Sequence, residues 1–167
     1  IYTLTMDKIR EIAVLKLIGT RNRTIAAMIM QQALALGVIG FVVGKITATL
    51  SRTFSAAGES ALGDVIADSQ LAATASPTTG NAVIAFMNPG GIRADIPFAA
   101  AGKTDGNVTY GEAFTTQPFG NSLVTMTLTG AQIYAALEQQ WGTAQPFPRI
   151  LQVSNGFAYS HTFPLPL

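Results

Sequence analysis

A short apolar run that ends in two glycines and an arginine places the tightest constraint on how this chain can fold. Residues 82–87 are all apolar, as in a buried β-strand. The run stops at Asn88 and a proline, and Gly90 and Gly91 then continue the loop. Glycines leave a bare backbone that a ligand can approach, and Arg93 adds a planar cation suited to oxyanions. The pattern alone fits a tight turn with an exposed arginine, because such glycine pairs are common in turns, and the alternative is an anion-binding loop.

The sequence around this loop mixes helical and strand patterns without a regular repeat. Such a mixture predicts an α+β, or mixed α/β, domain. The expected elements are a helix over 60–73, strands over 82–87 and 107–110, a helical turn over 111–115, a strand over 123–129, a helix that follows a capping box at 129–132, and a hairpin of 149–154 with 157–163 around Asn155 and Gly156.

The N-terminal part has a different character. Residues 25–50 are almost wholly apolar, and 25–44 holds twenty residues without a charge, enough for a helix to cross roughly 30 Å of hydrocarbon. Residues 6–18 have the spacing of an amphipathic helix. Basic residues precede the apolar run, so the positive-inside rule places residues 51–167 outside the cytoplasm. We expect a transmembrane helix that contacts the membrane through 25–50; the alternatives are a signal peptide and a buried helix.

Charge is divided unevenly along the chain. Residues 1–50 carry six Lys or Arg against two acidic residues, a net +4, whereas residues 51–167 carry four against seven, a net −3. This division predicts two pieces, 1–50 and 51–167, in different surroundings. The acidic balance of the second piece argues against nucleic-acid binding.

The residue types needed for hydrolysis are scarce. The chain has no cysteine and a single histidine, His161. A two-metal hydrolytic site needs several His and Asp ligands held together, and no Gly-x-Ser-x-Gly or Walker A motif is present. A lone histidine in a predicted strand is expected to be a surface or packing residue. The sequence therefore predicts no catalytic residue, no metal ligand and no cofactor in this chain.

Several motifs stand in register along the second piece. They are Gly-Glu-Ser-Ala-Leu-Gly-Asp at 58–64, Asn-Pro-Gly-Gly-Ile-Arg at 88–93, Gln-Pro-Phe-Gly-Asn-Ser-Leu-Val at 117–124 and Leu-Gln-Val-Ser at 151–154. In this order and spacing they resemble the C-terminal domain of the 5′-nucleotidase and UDP-sugar hydrolase family, over about 51–163.

The resemblance implies that this domain holds a nucleoside or nucleotide, while a separate metallophosphatase domain binds divalent metals and performs hydrolysis. By motif position, the residues expected to contact the substrate are Asn88, Gly90, Gly91, Arg93 and Phe119, with the phenyl ring stacking on the base. Two departures stand out. Pro89 occupies the place of a usual third glycine, and the family's second stacking aromatic and last strands would lie beyond residue 167, which makes the domain incomplete at its C-terminus.

A second resemblance concerns the N-terminal piece. Residues 6–19 are similar to FtsX-like ABC-transporter permeases of the DevC type, in which a cytoplasmic amphipathic helix leads into a membrane helix. Permease subunits would then be partners.

The predicted function is nucleotide binding for a 5′-nucleotidase-type phosphoester hydrolase, tethered to a membrane and not catalytic alone; the alternatives are a permease fragment and a non-functional chimera.

Overall fold

The described part of the chain is a mixed α/β domain, as the sequence predicts. The computed structural model describes residues 23–24, 27–28, 31, 40–141 and 147–162. Its elements in chain order are β1 Val42–Lys45, α1 Ala61–Thr74, β2 Phe86–Met87, β3 Asn107–Thr109, α2 Tyr110–Thr116, α3 Gly130–Glu138 and β4 Gln152–Val153. A 3-10 turn over Pro89–Gly91 follows β2, and another over Gln139–Trp141 follows α3.

The strands pair across long stretches of sequence. β1 runs antiparallel to β3, with an irregular register between Val42 and Gly44. β2 runs antiparallel to β4, and Met87 lies opposite Gln152. Beyond β4, Ser154 stays bonded to Ala85: its backbone N–H donates to the Ala85 carbonyl at 3.1 Å, and its hydroxyl accepts the Ala85 N–H at 2.9 Å. Each described pairing thus joins elements that are distant in sequence.

Helix α1 lies against β2 and β4 and supplies the centre of the core. Its buried side chains include Leu62, Ile66 and Ala67, whereas Val65, also expected to face the core, is 46% exposed. The rest of the buried cluster comes from the loops and strands packed on this helix: Met87, Ile92, Ile96 and Val108, with the half-buried Ile46 and Leu50 beside them.

Side-chain caps define where the helices begin. Ser60 caps α1, as predicted, because its Oγ accepts the N–H of Gly63 at 3.1 Å. The capping box predicted at Thr129 and Gln132 is confirmed at the start of α3. A further capping box, Thr109 with Glu112, starts α2 and extends the predicted helical turn to seven residues.

The prediction of an apolar helix that continues to residue 50 is wrong for its last part. Val42–Lys45 is a strand, and the apolar side chains of Ile46 and Leu50 pack on the domain core. Val42 and Val43 are β-branched and therefore favour a strand, and β3 pairs with this strand. Most of 25–39, and nearly all of 1–24 with the permease-like segment, lie outside the described residues. In the part of the chain that is described, no helix combines the length and apolarity needed to span a membrane.

The strand predicted over 123–129 does not form. Its alternating pattern requires a neighbouring strand for its backbone hydrogen bonds, and no described strand pairs with it. Val124 and Met126, which would share one face of such a strand, are 76% and 70% exposed. An alternating pattern thus indicates which residues could share one face of a strand, but it does not show that a neighbouring strand is present.

The predicted C-terminal hairpin is also wrong. Gly156 has a φ of 91° but Asn155 does not have a positive φ, so the turn is not the type I′ turn that folds two strands onto each other. β4 pairs with β2, and the residues after the turn form a row of aromatic contacts. The ring of Phe157 lies 5.4 Å from that of Phe86, and the ring of His161 lies 4.8 Å from that of Trp141, which confirms His161 as a packing residue.

One ion pair anchors the start of α2. Nζ of Lys103 lies 2.7 Å from Oε1 of Glu112, and the lysine side chain is only 7% exposed. Burial alone would raise the pKa of Glu112, but hydrogen bonds from Lys103 and Thr109, together with the lysine charge, outweigh burial and hold that pKa below its ordinary value. A lowered carboxyl pKa adds stability that is present at neutral pH and is lost as the pH falls through the folded-state pKa.

We expect Glu112→Gln to lower the free energy of unfolding at neutral pH by about 2 kcal/mol, since it leaves a buried lysine without its counter-charge. The difference from the parent should shrink as the pH falls below about 4, where the carboxyl of the unfolded chain is protonated. Denaturant unfolding at a series of pH values measures both effects. Glu138→Gln, on an exposed glutamate, is the matched control, and equal behaviour of the two variants would contradict the assignment.

Candidate functional site

An open cavity of about 950 Å³ lies beside the glycine loop. Three segments form its walls: 54–58 before α1, 89–93 after β2, and 147–150 before β4. Its lining residues are Phe54, Ser55, Ala56, Gly58, Pro89, Gly90, Arg93, Phe147, Pro148, Arg149 and Ile150. The cavity therefore combines aromatic surface with two arginines.

The residues of the glycine loop, Asn88, Gly90 and Gly91, have different roles, and the sequence did not reveal this difference. Oδ1 of Asn88 accepts the N–H of Gly90 at 3.1 Å, so this side chain shapes the 3-10 turn. Gly90 lines the cavity, as predicted for a residue that a ligand approaches. Gly91 does not line it, and a Cβ at this position would lie 2.6 Å from the terminal methyl of Met87. The second glycine thus allows packing against β2.

Arg93 connects the loop, the cavity and Phe119. Its Nη1 donates to the carbonyl of Gly90 at 3.1 Å, and its backbone N–H donates to the carbonyl of Thr116 at 2.9 Å. Its Cζ lies 5.8 Å from the centre of the Phe119 ring, within the range of a cation–π contact. Phe119 does not line the cavity itself and is joined to it through Arg93, but it is 48% exposed, so part of its surface stays open for stacking. The structure thus brings three predicted residues together: Gly90, Arg93 and Phe119.

The third wall was missed by sequence reasoning. Arg149 lies over the ring of Phe147, with 5.2 Å from its Cζ to the ring centre, and both residues line the cavity. Buried Gln140 holds this segment, because its carbonyl accepts the N–H of Arg149 at 3.2 Å and its Oε1 accepts the N–H of Leu151 at 2.6 Å. Both contacts span the gap between α3 and β4, and no local motif marks them.

The fully buried side chain of Gln152 ties two walls of the cavity together. Its Nε2 donates to the carbonyls of Gly58 and Ile150, at 3.2 and 2.9 Å. Its Oε1 accepts from the N–H and the hydroxyl of Ser60, at 2.7 and 2.9 Å. Gln152 therefore holds the segment 54–58 against the segment 147–150. Both the nitrogen and the oxygen of its side-chain amide are hydrogen-bonded.

The charge lining the cavity is positive. Arg93 and Arg149 line it, and no acidic side chain is among the described residues that line it. The nearest acid in sequence is Glu59, next to Gly58; burial raises the pKa of Glu59, and the negative charge of Asp64 raises it further. Within the described ranges, no group of three or more His, Cys, Asp or Glu side chains is arranged to hold a metal ion. The arrangement suits binding of an anionic ligand with an aromatic part.

The described residues form a mixed α/β domain in which a Gly-Gly-Ile-Arg loop lies beside a cavity lined by arginine and aromatic residues, and comparison with known families assigns the class. The family described as the 5′-nucleotidase C-terminal domain matches residues 42–164. The chain belongs to this family. The match begins at β1, and the permease resemblance of 6–19 stays a prediction.

Individual relatives support the same assignment. The chain is 38% identical over 104 residues to the cell wall protein Lmo0130 of Listeria monocytogenes, covering 62% of this chain and 13% of that protein. It is 36% identical over 107 residues to the trifunctional nucleotide phosphoesterase protein YfkN of Bacillus subtilis, covering 62% of this chain and 7% of that protein. A solved 5′-nucleotidase precursor from Thermus thermophilus superposes with a TM-score of 0.59 at 33% identity, covering 77% of this chain and 24% of that one. The chain thus spans a small part of these relatives.

Proposed function

We propose that residues 42–164 bind a nucleoside or nucleotide for a 5′-nucleotidase-type phosphoester hydrolysis that a separate metallophosphatase domain performs. The observation that carries this proposal is the position of Arg93, which lines the cavity and lies over the half-exposed ring of Phe119. A base stacks on an aromatic face, and a guanidinium beside it binds phosphate or ribose oxygens through charge-assisted hydrogen bonds. The name of the YfkN relative, a nucleotide phosphoesterase, supports this ligand class.

We propose different roles for the predicted residues, and their positions support this division. Gly90 and Arg93 line the cavity, so they would contact the ligand directly. Asn88 and Gly91 would act through the shape of the loop, because one caps the turn and the other packs against Met87. The divalent metals belong to the proposed catalytic partner domain. We further propose an extracytoplasmic location, which the name of the cell wall protein relative supports.

The test is a binding titration of the full chain with adenosine and AMP, followed by NMR shifts. Phe119→Ala should weaken both ligands at least about fivefold, since base–aromatic stacking is worth about 1–3 kcal/mol. Arg93→Ala should weaken AMP more than adenosine, because AMP presents the charged oxygens. Phe114→Ala is the matched control: it removes an exposed ring that stacks on Tyr110, whereas the guanidinium of Arg93 lies over the ring of Phe119.

Two results would contradict the proposal. The first is saturable binding that neither Phe119→Ala nor Arg93→Ala alters while both variants remain folded. The second is release of phosphate from AMP by the purified chain with divalent metal, at a rate that copurifies with the chain, since this would place catalysis in the chain itself.

A further inference from the structure

We infer that Arg149 is a specificity-determining residue that binds a second anionic group, so that the cavity favours nucleotides carrying two phosphate groups over those carrying one. This inference rests on the proposed function, because it assigns the second cation of the same cavity. It begins from the position of Arg149 on the wall formed by 147–150, whereas the residues expected from the sequence lie on the wall formed by 89–93 and in the loop that holds Phe119.

Arg149 is held in place but is not neutralised. Its guanidinium lies over the Phe147 ring, and its backbone is fixed by Gln140. Among the described residues it forms no ion pair, in contrast to Arg52, which lies 4.0 Å from a carboxylate oxygen of Asp95. A guanidinium that is positioned by a ring and lacks a carboxylate keeps its fork of N–H donors available for an oxyanion.

Arg93 is already engaged in part. Its Nη1 donates to the carbonyl of Gly90, and its guanidinium lies over Phe119. Its remaining donors suit one phosphate next to a base stacked on that ring. Because Arg149 comes from a different wall of the same cavity, a second phosphate on the same ligand has its own cation.

The size and lining of the cavity fit such a ligand. A volume of about 950 Å³ lies at the upper end of the usual range for ligand pockets, about 300–1,000 Å³. Phe54 and Phe147 add aromatic surface, and the lining residues within the described ranges include no carboxylate to repel a second negative charge. A ligand with one phosphate would leave one of the two arginines without an anion.

The experiment measures the affinity of the full chain for adenosine, AMP, ADP and adenosine 3′,5′-bisphosphate at one fixed ionic strength. In the parent, we expect at least one of the two-phosphate ligands to bind about three- to tenfold tighter than AMP. A gain of this size is expected from one additional charge-assisted hydrogen bond at a solvent-exposed site. Arg149→Gln should remove this preference, so that the two-phosphate ligands bind no tighter than AMP. Arg52→Gln, which removes a cation outside the cavity, should leave the preference intact.

The outcomes separate this inference from the proposed function. If adenosine and AMP bind and respond to Phe119→Ala, but ADP and the bisphosphate bind no tighter than AMP, the role of Arg149 is refuted and the proposed function stands. If the Arg149→Gln variant still prefers the two-phosphate ligands, the proposed role of Arg149 is also refuted. If no nucleoside or nucleotide binds to the folded chain, both proposals are wrong.

Discussion

Gly63→Ala should destabilise the domain by about 3 kcal/mol, although the same change in a helix ordinarily stabilises it. A Cβ at residue 63 would lie 2.2 Å from Oε1 and 2.4 Å from Cγ of Gln152. The end of a glutamine usually moves aside at little cost, but here four hydrogen bonds hold it in a fully buried position. Relief of the clash must break some of these bonds, and each buried polar group left unpaired costs about 1–3 kcal/mol. The helix-propensity gain of about 1 kcal/mol is smaller.

Gly130→Ala provides the matched control, because Gly130 also lies in a helix and a Cβ there would have open space around it. We expect this variant to be as stable as the parent or up to about 1 kcal/mol more stable. Denaturant unfolding of both variants, with an unchanged dependence on denaturant concentration, measures the difference. Equal stability of the two alanine variants would show that Gln152 is not confined as the structure indicates.

Gln152→Ala should have the largest effect of any single change considered, a loss of about 3–5 kcal/mol. It opens a cavity in the core and removes four hydrogen bonds from buried groups: those donated by the N–H and the hydroxyl of Ser60 and those accepted by the carbonyls of Gly58 and Ile150. Small domains are stable by only about 5–15 kcal/mol, so much of the total would be lost. Gln139→Ala, at an exposed position, is expected to change stability by less than about 0.5 kcal/mol.

A double variant tests whether the two positions act through the same contact. If Gly63→Ala acts mainly by displacing the Gln152 side chain, then its effect should nearly vanish in the Gln152→Ala background. Additive losses in the double variant would mean that the two residues stabilise the domain independently, and the account of the clash would be wrong.

The features that the sequence predicted well are those with local causes. A serine before an apolar periodic run marks the start of α1, and a Thr-x-x-Gln spacing marks the start of α3. The Thr-x-x-Glu spacing at Thr109 carried the same information and could have predicted the length of α2. Such caps form within one turn of a helix, so neighbouring residues are sufficient to specify them.

The features that the sequence did not predict depend on residues distant in the chain. Alternation over 123–129 could not show whether a neighbouring strand exists, and Asn155 with Gly156 could not show that β4 pairs with β2. In the site, motif positions located Gly90, Arg93 and Phe119. The wall containing Phe147 and Arg149 had no signal, because buried Gln140 and Gln152 hold it through contacts that only the folded chain creates.

The long-range pairing of these strands has a consequence for how the chain folds. The bond between Gln152 and Gly58 joins residues 94 positions apart, and no described pair of strands is a simple hairpin. Domains dominated by such distant contacts fold slowly, on the order of milliseconds to seconds, because a long loop must close before the contacts stabilise it. During synthesis, α1 emerges well before β4, so its apolar face stays without one of its two strand neighbours until Val153 has left the ribosome. Over that interval the exposed apolar face of α1 is expected to favour aggregation, as exposed hydrophobic surface does in partly folded chains.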